Sequence, residues 1–131
     1  MFNKLILTCF LVFGTLTISN AQSLKITDVN SSNDKMYKQA SEGLGKAIII
    51  TIYDKSVKLQ LPDDAKPIVL RAISANEYYD VTEESEKEKW TARLTVNKTL
   101  GVVTSALLTI TVAEKGGKYQ SASCTFTAKR F

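Results

Sequence analysis

The sequence predicts an all-β domain: an antiparallel meander of seven or eight strands, closed as a small up-and-down barrel or folded over as a β-sandwich. Three observations carry this. Stretches of strict apolar and polar alternation recur along the chain. The connections between them are mostly short, and they describe a meander without helical crossovers. A sequential meander that closes on itself leaves no exposed edge, which favours the barrel.

The segment Gly101 to Phe131 shows the pattern best. Val102, Ala106, Leu108, Ile110 and Val112 are apolar at even positions, interrupted by Thr104, while Ser105, Thr109 and Thr111 are polar at odd ones. In the second half Ala122, Cys124, Phe126 and Ala128 form the apolar set. Directly opposed residues of an antiparallel pair share a face, so even must meet even. A two-residue loop at Gly116-Gly117 violates this. A three-residue loop, Lys115-Gly116-Gly117, satisfies it and predicts the pairs Ile110 with Ala122, Leu108 with Cys124 and Ala106 with Phe126.

Met1 to Ala21 reads as an export signal. Lys4 is the charged n-region, Leu5 to Ile18 the apolar h-region, and Ser19-Asn20-Ala21 supplies small residues for cleavage before Gln22. The apolar run is shorter than the roughly 20 residues of a membrane span, so no span is expected after cleavage. Domain organisation is then residues 1–21 as signal peptide and 22–131 as one β domain, in a periplasmic or secreted location. Loss of Cys9 with the signal leaves Cys124 without an internal disulfide partner, and its inner-face position makes it a small apolar group.

Leu24 to Val29 is the first strand. Met36, Ala40 and Leu44 recur at helical spacing behind Ser32 or Asn33, with Gly43 and Gly45 beyond, which permits a short helix near residues 33–42, placed as a lid over one end of the sheet, or else a polar loop. Ile48, Ile50 and Ile52 are even whereas Val57, Leu59 and Leu61 are odd, so a two-residue turn at Asp54-Lys55 pairs Ile52 with Val57, Ile50 with Leu59 and Ile48 with Leu61.

Pro62 to Pro67 turns the chain and Ile68 to Ile73 resumes it. A two-residue loop at Ala75-Asn76 brings Tyr79 and Val81 inward against Ala72 and Leu70. Glu83 to Lys89 reads as a solvated charged connector. In the next strand Trp90, Ala92, Leu94 and Val96 point inward and Thr91, Arg93, Thr95 and Asn97 outward, with a loop at Lys98-Thr99-Leu100 leading to Val102.

This order is similar to that of the lipocalins in strand count alone. Their Gly-x-Trp signature near the first strand is missing, and the single tryptophan, Trp90, follows Lys89 far downstream.

The chain contains no histidine, which removes the Ser/His and Cys/His nucleophile pairs and the commonest zinc ligand. Glu83, Glu84, Glu86 and Glu88 form the main carboxylate cluster, and Asp63-Asp64 and Asp80 lack the spacing of a calcium loop. No enzyme activity, cofactor or metal is expected. With Lys4 removed, 16 Lys+Arg face 13 Asp+Glu, and a net charge of +3 is too mild to argue for nucleic acid.

The expected function is that of a noncatalytic binding domain, with two versions. In the first, a small apolar ligand occupies the barrel interior, touching Trp90, Tyr79, Leu108 and Phe126. In the second, outward Tyr53, Tyr78 and Tyr119 recognise a protein or envelope polysaccharide, since tyrosine is a good contact residue.

Overall fold

The computed structural model describes residues 20–64, 66–114 and 121–131. The stretch expected to be an export signal, up to Ser19, the expected Lys115-Gly116-Gly117 loop and Tyr119 lie outside the described residues.

Eight antiparallel strands close in sequence order into a barrel, with β1 hydrogen-bonded to β8. The strands are β1 (Asn20–Ser31), β2 (Ala47–Ile52), β3 (Ser56–Gln60), β4 (Ile68–Ser74), β5 (Glu77–Glu84), β6 (Glu88–Thr99), β7 (Val102–Glu114) and β8 (Ser121–Lys129), and one helix, α1 (Asp34–Ser41), lies between β1 and β2. Up-and-down order puts the β1–β2 connection with α1 at one end, together with the β3–β4, β5–β6 and β7–β8 connections. The other end holds the start of β1, the end of β8 and the remaining three turns.

The interior is filled over most of its length. Leu24, Ile26, Ile48, Ile50, Val57, Leu59, Leu70, Leu94, Val96, Val103 and Leu108 are all essentially inaccessible. These are the alternate residues of successive strands, as a small closed barrel requires. β2 and β3 pair as their parity predicts, Ile52 with Val57 and Ile50 with Leu59. The tight turn at Asp54-Lys55 is closed by the Tyr53 N–H donating to the Ser56 carbonyl at 2.9 Å. β3 ends at Gln60, so the expected extension to Leu61 opposite Ile48 is not part of the ladder.

Four residues interrupt the ladders, each adding one residue to one strand: Thr27, Ile73, Thr82 and Thr104. Such a bulge reverses which side chains face inward beyond it. Three of the four are threonines whose hydroxyl turns back on a neighbouring strand. Thr27 Oγ1 donates to the Thr127 carbonyl at 3.3 Å, Thr82 to that of Trp90 at 3.4 Å and Thr104 to that of Asn97 at 3.2 Å.

These bulges correct several expectations. The Ala75-Asn76 turn does form, with Ser74 opposite Glu77, but the extra residue Ile73 then sets Ala72 against Tyr78 and Arg71 against Tyr79. Tyr78 is therefore the buried tyrosine, Tyr79 lies on the outer face, and Val81 is exposed. Thr104 breaks the alternation of β7 in the same way, so Val103 is buried and Val102 exposed. β6 runs on to Thr99, and the turn is Leu100-Gly101 rather than Lys98-Thr99-Leu100, with both turn residues at positive φ (53° and 79°) as a type I′ turn demands. Glu83 to Lys89 is not a free connector: Glu83 pairs with Trp90 and Glu84 with Lys89.

Between β7 and β8 the faces match as expected but the register differs by two residues. Leu108 meets Phe126, Ile110 meets Cys124 and Ala106 meets Ala128. Parity selects a face, and a slip of two preserves it. β8 must also satisfy β1, where Val29 meets Phe126 and Ser31 meets Cys124, so closure adds a constraint that no single hairpin contains.

Burial raises the Tyr78 hydroxyl above its ordinary value of 10.0 and the Cys124 thiol above 9.0. The folded barrel keeps both protons where the unfolded chain has released them. Their contribution is complete below about pH 9 and is lost as pH climbs through the raised folded values. Urea midpoints are expected to fall above that pH, and less steeply in a Tyr78→Phe, Cys124→Ala double variant.

Candidate functional site

The site is the end of the barrel beneath α1. The sequence builds this lid by anchoring both ends of the segment and leaving its middle loosely packed. At the start, Asn33 caps the helix, its Oδ1 accepting from the Met36 N–H at 3.0 Å. The preceding serines hold β8: the Ser32 N–H donates to the Ser123 carbonyl at 3.0 Å, and the Ser123 N–H donates to Ser32 Oγ at 3.0 Å.

At the far end Gly45, at φ 81°, donates its N–H to the Ile26 carbonyl, and the Ile26 N–H donates to the Lys46 carbonyl, both at 2.9 Å. Gly43 lets the backbone come close: a Cβ there would sit 3.3 Å from Ile26 Cδ1. Lys46 Nζ pairs with Asp63 Oδ2 at 2.6 Å, tying the exit of the lid to the β3–β4 turn. Between these anchors no residue of α1 is buried. Met36 and Ala40, the two apolar residues facing the barrel, are half-buried, while Leu44 lies past the helix and is exposed.

Against the helix is an open hollow of about 210 Å³ lined by Met36, Gln39, Ala40, Trp90, Ile110, Cys124 and Phe126. It shares Met36, Gln39 and Trp90 with a wider opening of about 630 Å³, whose rim carries Lys35, Glu88 and Glu114. On the other flank it shares Gln39, Ala40 and Phe126 with a hollow of about 210 Å³ that reaches Ile26 and Leu61. The floor is the filled core, where buried Leu108 is the direct cross-strand partner of Phe126. Trp90 is fixed by its own Nε1–H, which donates to Glu88 Oε1 at 2.9 Å.

Of the expected ligand-contacting residues, Trp90 and Phe126 meet in this hollow, while Leu108 is buried beside Phe126 on the neighbouring strand and does not line it. Tyr79 does not join them. Its ring is on the outside, with the Arg93 guanidinium carbon 5.9 Å from its centroid, a cation–π contact. The tyrosine set is dispersed as well: Tyr53 is exposed at the β2–β3 turn, at the end away from α1, and Tyr78 is in the core. Ile110 and Cys124 were legible as inward residues and Met36 and Ala40 as an apolar helix face, but their convergence is visible only once the barrel is closed.

A separate groove of about 620 Å³ runs along the outer faces of β1 and β8, between Asp28, Asn30, Ser123, Thr125 and Thr127. Its lining is mostly hydroxyl and carboxylate groups that water satisfies, and Leu107 is its main exposed apolar side chain. Asp63 and Asp80 are both engaged in ion pairs, with Lys46 and Arg71. Among the described residues no group of three or more His, Cys, Asp or Glu is placed to hold a metal ion, and no helix is long and apolar enough to cross a membrane.

Comparison with protein-family models, with curated proteins and with solved structures finds no match for this chain.

Proposed function

We propose that this protein is a noncatalytic, exported binding domain that takes a small apolar ligand at the α1 end of the barrel. The observation that carries the reading is the meeting of Trp90, Phe126, Met36 and Ile110, four large side chains left half-buried, around open space above a core that is otherwise filled. Half-buried apolar surface beside a cavity gains free energy when a ligand covers it, about 25 cal/mol per Å². Glu88, Glu114, Lys35 and Gln39 form a polar rim outside it, the arrangement that orients a ligand with one apolar and one polar end. The filled lower barrel limits the guest to a short acyl chain or a single ring system.

Export rests on the Met1 to Ala21 pattern. Cleavage before Gln22 falls inside β1 and removes the backbone pairs Asn20 with Ile52 and Ala21 with Thr51, leaving the ladder from Gln22 and Ile50 onward.

Because Trp90 is the single tryptophan, it reports on the site directly. Titration with medium-chain fatty acids or an aromatic probe is expected to shift its emission to shorter wavelength and saturate. A Met36→Glu variant, which places a charge against the cavity, is expected to weaken binding about tenfold or more. Unchanged Trp90 emission across both ligand classes would remove this reading.

A further inference from the structure

The barrel end opposite α1 carries features that neither the core nor the ligand site uses. Each of its three turns holds an apolar side chain in solvent: Tyr53 in β2–β3, Ile73 at β4–β5 and Leu100 in β6–β7, with Phe131 following β8. Leu100 is 99 % exposed and Phe131 76 %. Two of these placements cost the fold something it does not recover. Leu100 sits at φ 53°, a conformation that favours glycine or asparagine, and Ile73 is turned outward by a bulge.

Basic residues share this end. Lys55, Lys98, Lys129 and Arg130 lie in or beside its turns and strand ends, against Asp54 and Glu77. Lys25 and Lys129 are direct cross-strand partners, a like-charge pair that costs stability unless an anion lies over it. The two ion pairs among the described residues, Lys46 with Asp63 and Arg71 with Asp80, leave all of these lysines out. The glutamates of the β5–β6 connection lie at the opposite end, so the barrel is electrically polarised along its axis.

We infer that this end is a docking surface for an anionic lipid bilayer. Apolar side chains interleaved with lysine and arginine are what the interface of such a bilayer selects: the former enter the headgroup boundary and the latter meet lipid phosphates. Attachment of the upstream sequence points the same way. β1 begins at this end, and Ala21 and Gln22 line one groove with Leu100, Gly101 and Val102. The chain therefore enters β1 beside the Leu100 turn, downstream in sequence of the apolar stretch from Leu5 to Ile18. A chain tethered by that stretch during export presents this rim to the membrane, with the α1 site facing away. The inference does not depend on what the α1 site binds.

Residues 22–131, the chain left by cleavage before Gln22, keep all eight strands, β1 from Gln22 onward, and the whole core, and they are the chain to test. Flotation with phosphatidylcholine vesicles containing phosphatidylglycerol is expected to carry the protein, with about tenfold weaker binding to pure phosphatidylcholine or at high salt. Leu100→Asn suits the positive φ of the turn, so it is expected to keep or raise the melting temperature while weakening vesicle binding about tenfold. Lys25→Gln with Lys129→Gln is expected to flatten the salt dependence. Absence of binding to anionic vesicles, or binding that Leu100→Asn leaves unchanged, overturns the inference. So does a dimer in sedimentation equilibrium that Leu100→Asn dissociates without any vesicle binding, because the rim then covers a second copy of the chain.

Discussion

Tyr78→Ala is expected to destabilise the barrel by about 3–5 kcal/mol, and Tyr79→Ala by less than about 1 kcal/mol. The residues are identical and adjacent, so propensity and composition cannot separate them. Their difference comes from Ile73. With that residue extruded, Tyr78 pairs with Ala72 on one side and Leu94 on the other, and lies in the core with Leu70 and Leu94. Removing its ring leaves a cavity that neighbouring strands, held by their ladders, fill only in part. Tyr79, half-buried on the outer face, loses its contact with Arg93, and a cation–π pair outside the core contributes about 0.5–1 kcal/mol. Urea denaturation of the two variants checks both values, and the reverse order would place the bulge elsewhere.

The second large effect is at Leu108. It is 1 % exposed and is the cross-strand neighbour of Phe126, so Leu108→Ala is expected to cost about 2–5 kcal/mol. The same substitution removes side-chain volume beside Phe126, which lines the α1 hollow. A variant stable enough to purify is therefore expected to accept a longer acyl chain than the parent does, read by Trp90 emission across a chain-length series. Stability and ligand length move in opposite senses because one set of side chains serves as both core and floor.

How far the sequence alone reaches follows from what alternation encodes. It gives the face of each strand and the length of a tight turn, which is why the Asp54-Lys55 hairpin and the inward set Ala92, Leu94 and Val96 are readable residue by residue. It does not give register beyond a multiple of two, and β7–β8 differs from its local expectation by that amount. Nor does it reveal bulges. Thr104 stands out as a polar interruption in an apolar row, but an inward threonine and an extruded one look alike until the partner strand is placed. Ile73 gives no signal at all, and the inversion of Tyr78 and Tyr79 follows from it.

The candidate site was legible in its parts. Trp90 and Phe126 follow from strand alternation, and Met36 and Ala40 from a helical spacing that leaves a short lid helix and a polar loop both open. What joined them was closure of β1 onto β8, a contact between the two ends of the domain with no local signature. The Ser32–Ser123 hydrogen bonds that seat the helix belong to the same long-range contact.

The most direct test is amide and side-chain chemical-shift mapping during titration with a medium-chain fatty acid. Shifts confined to Met36, Gln39, Trp90, Ile110, Cys124 and Phe126, with Leu70, Val96 and Val103 unmoved, are the predicted result. Shifts that instead gather on the outer strands or in the lower barrel, or none at saturating ligand, would contradict a filled core under a ligand-accepting lid.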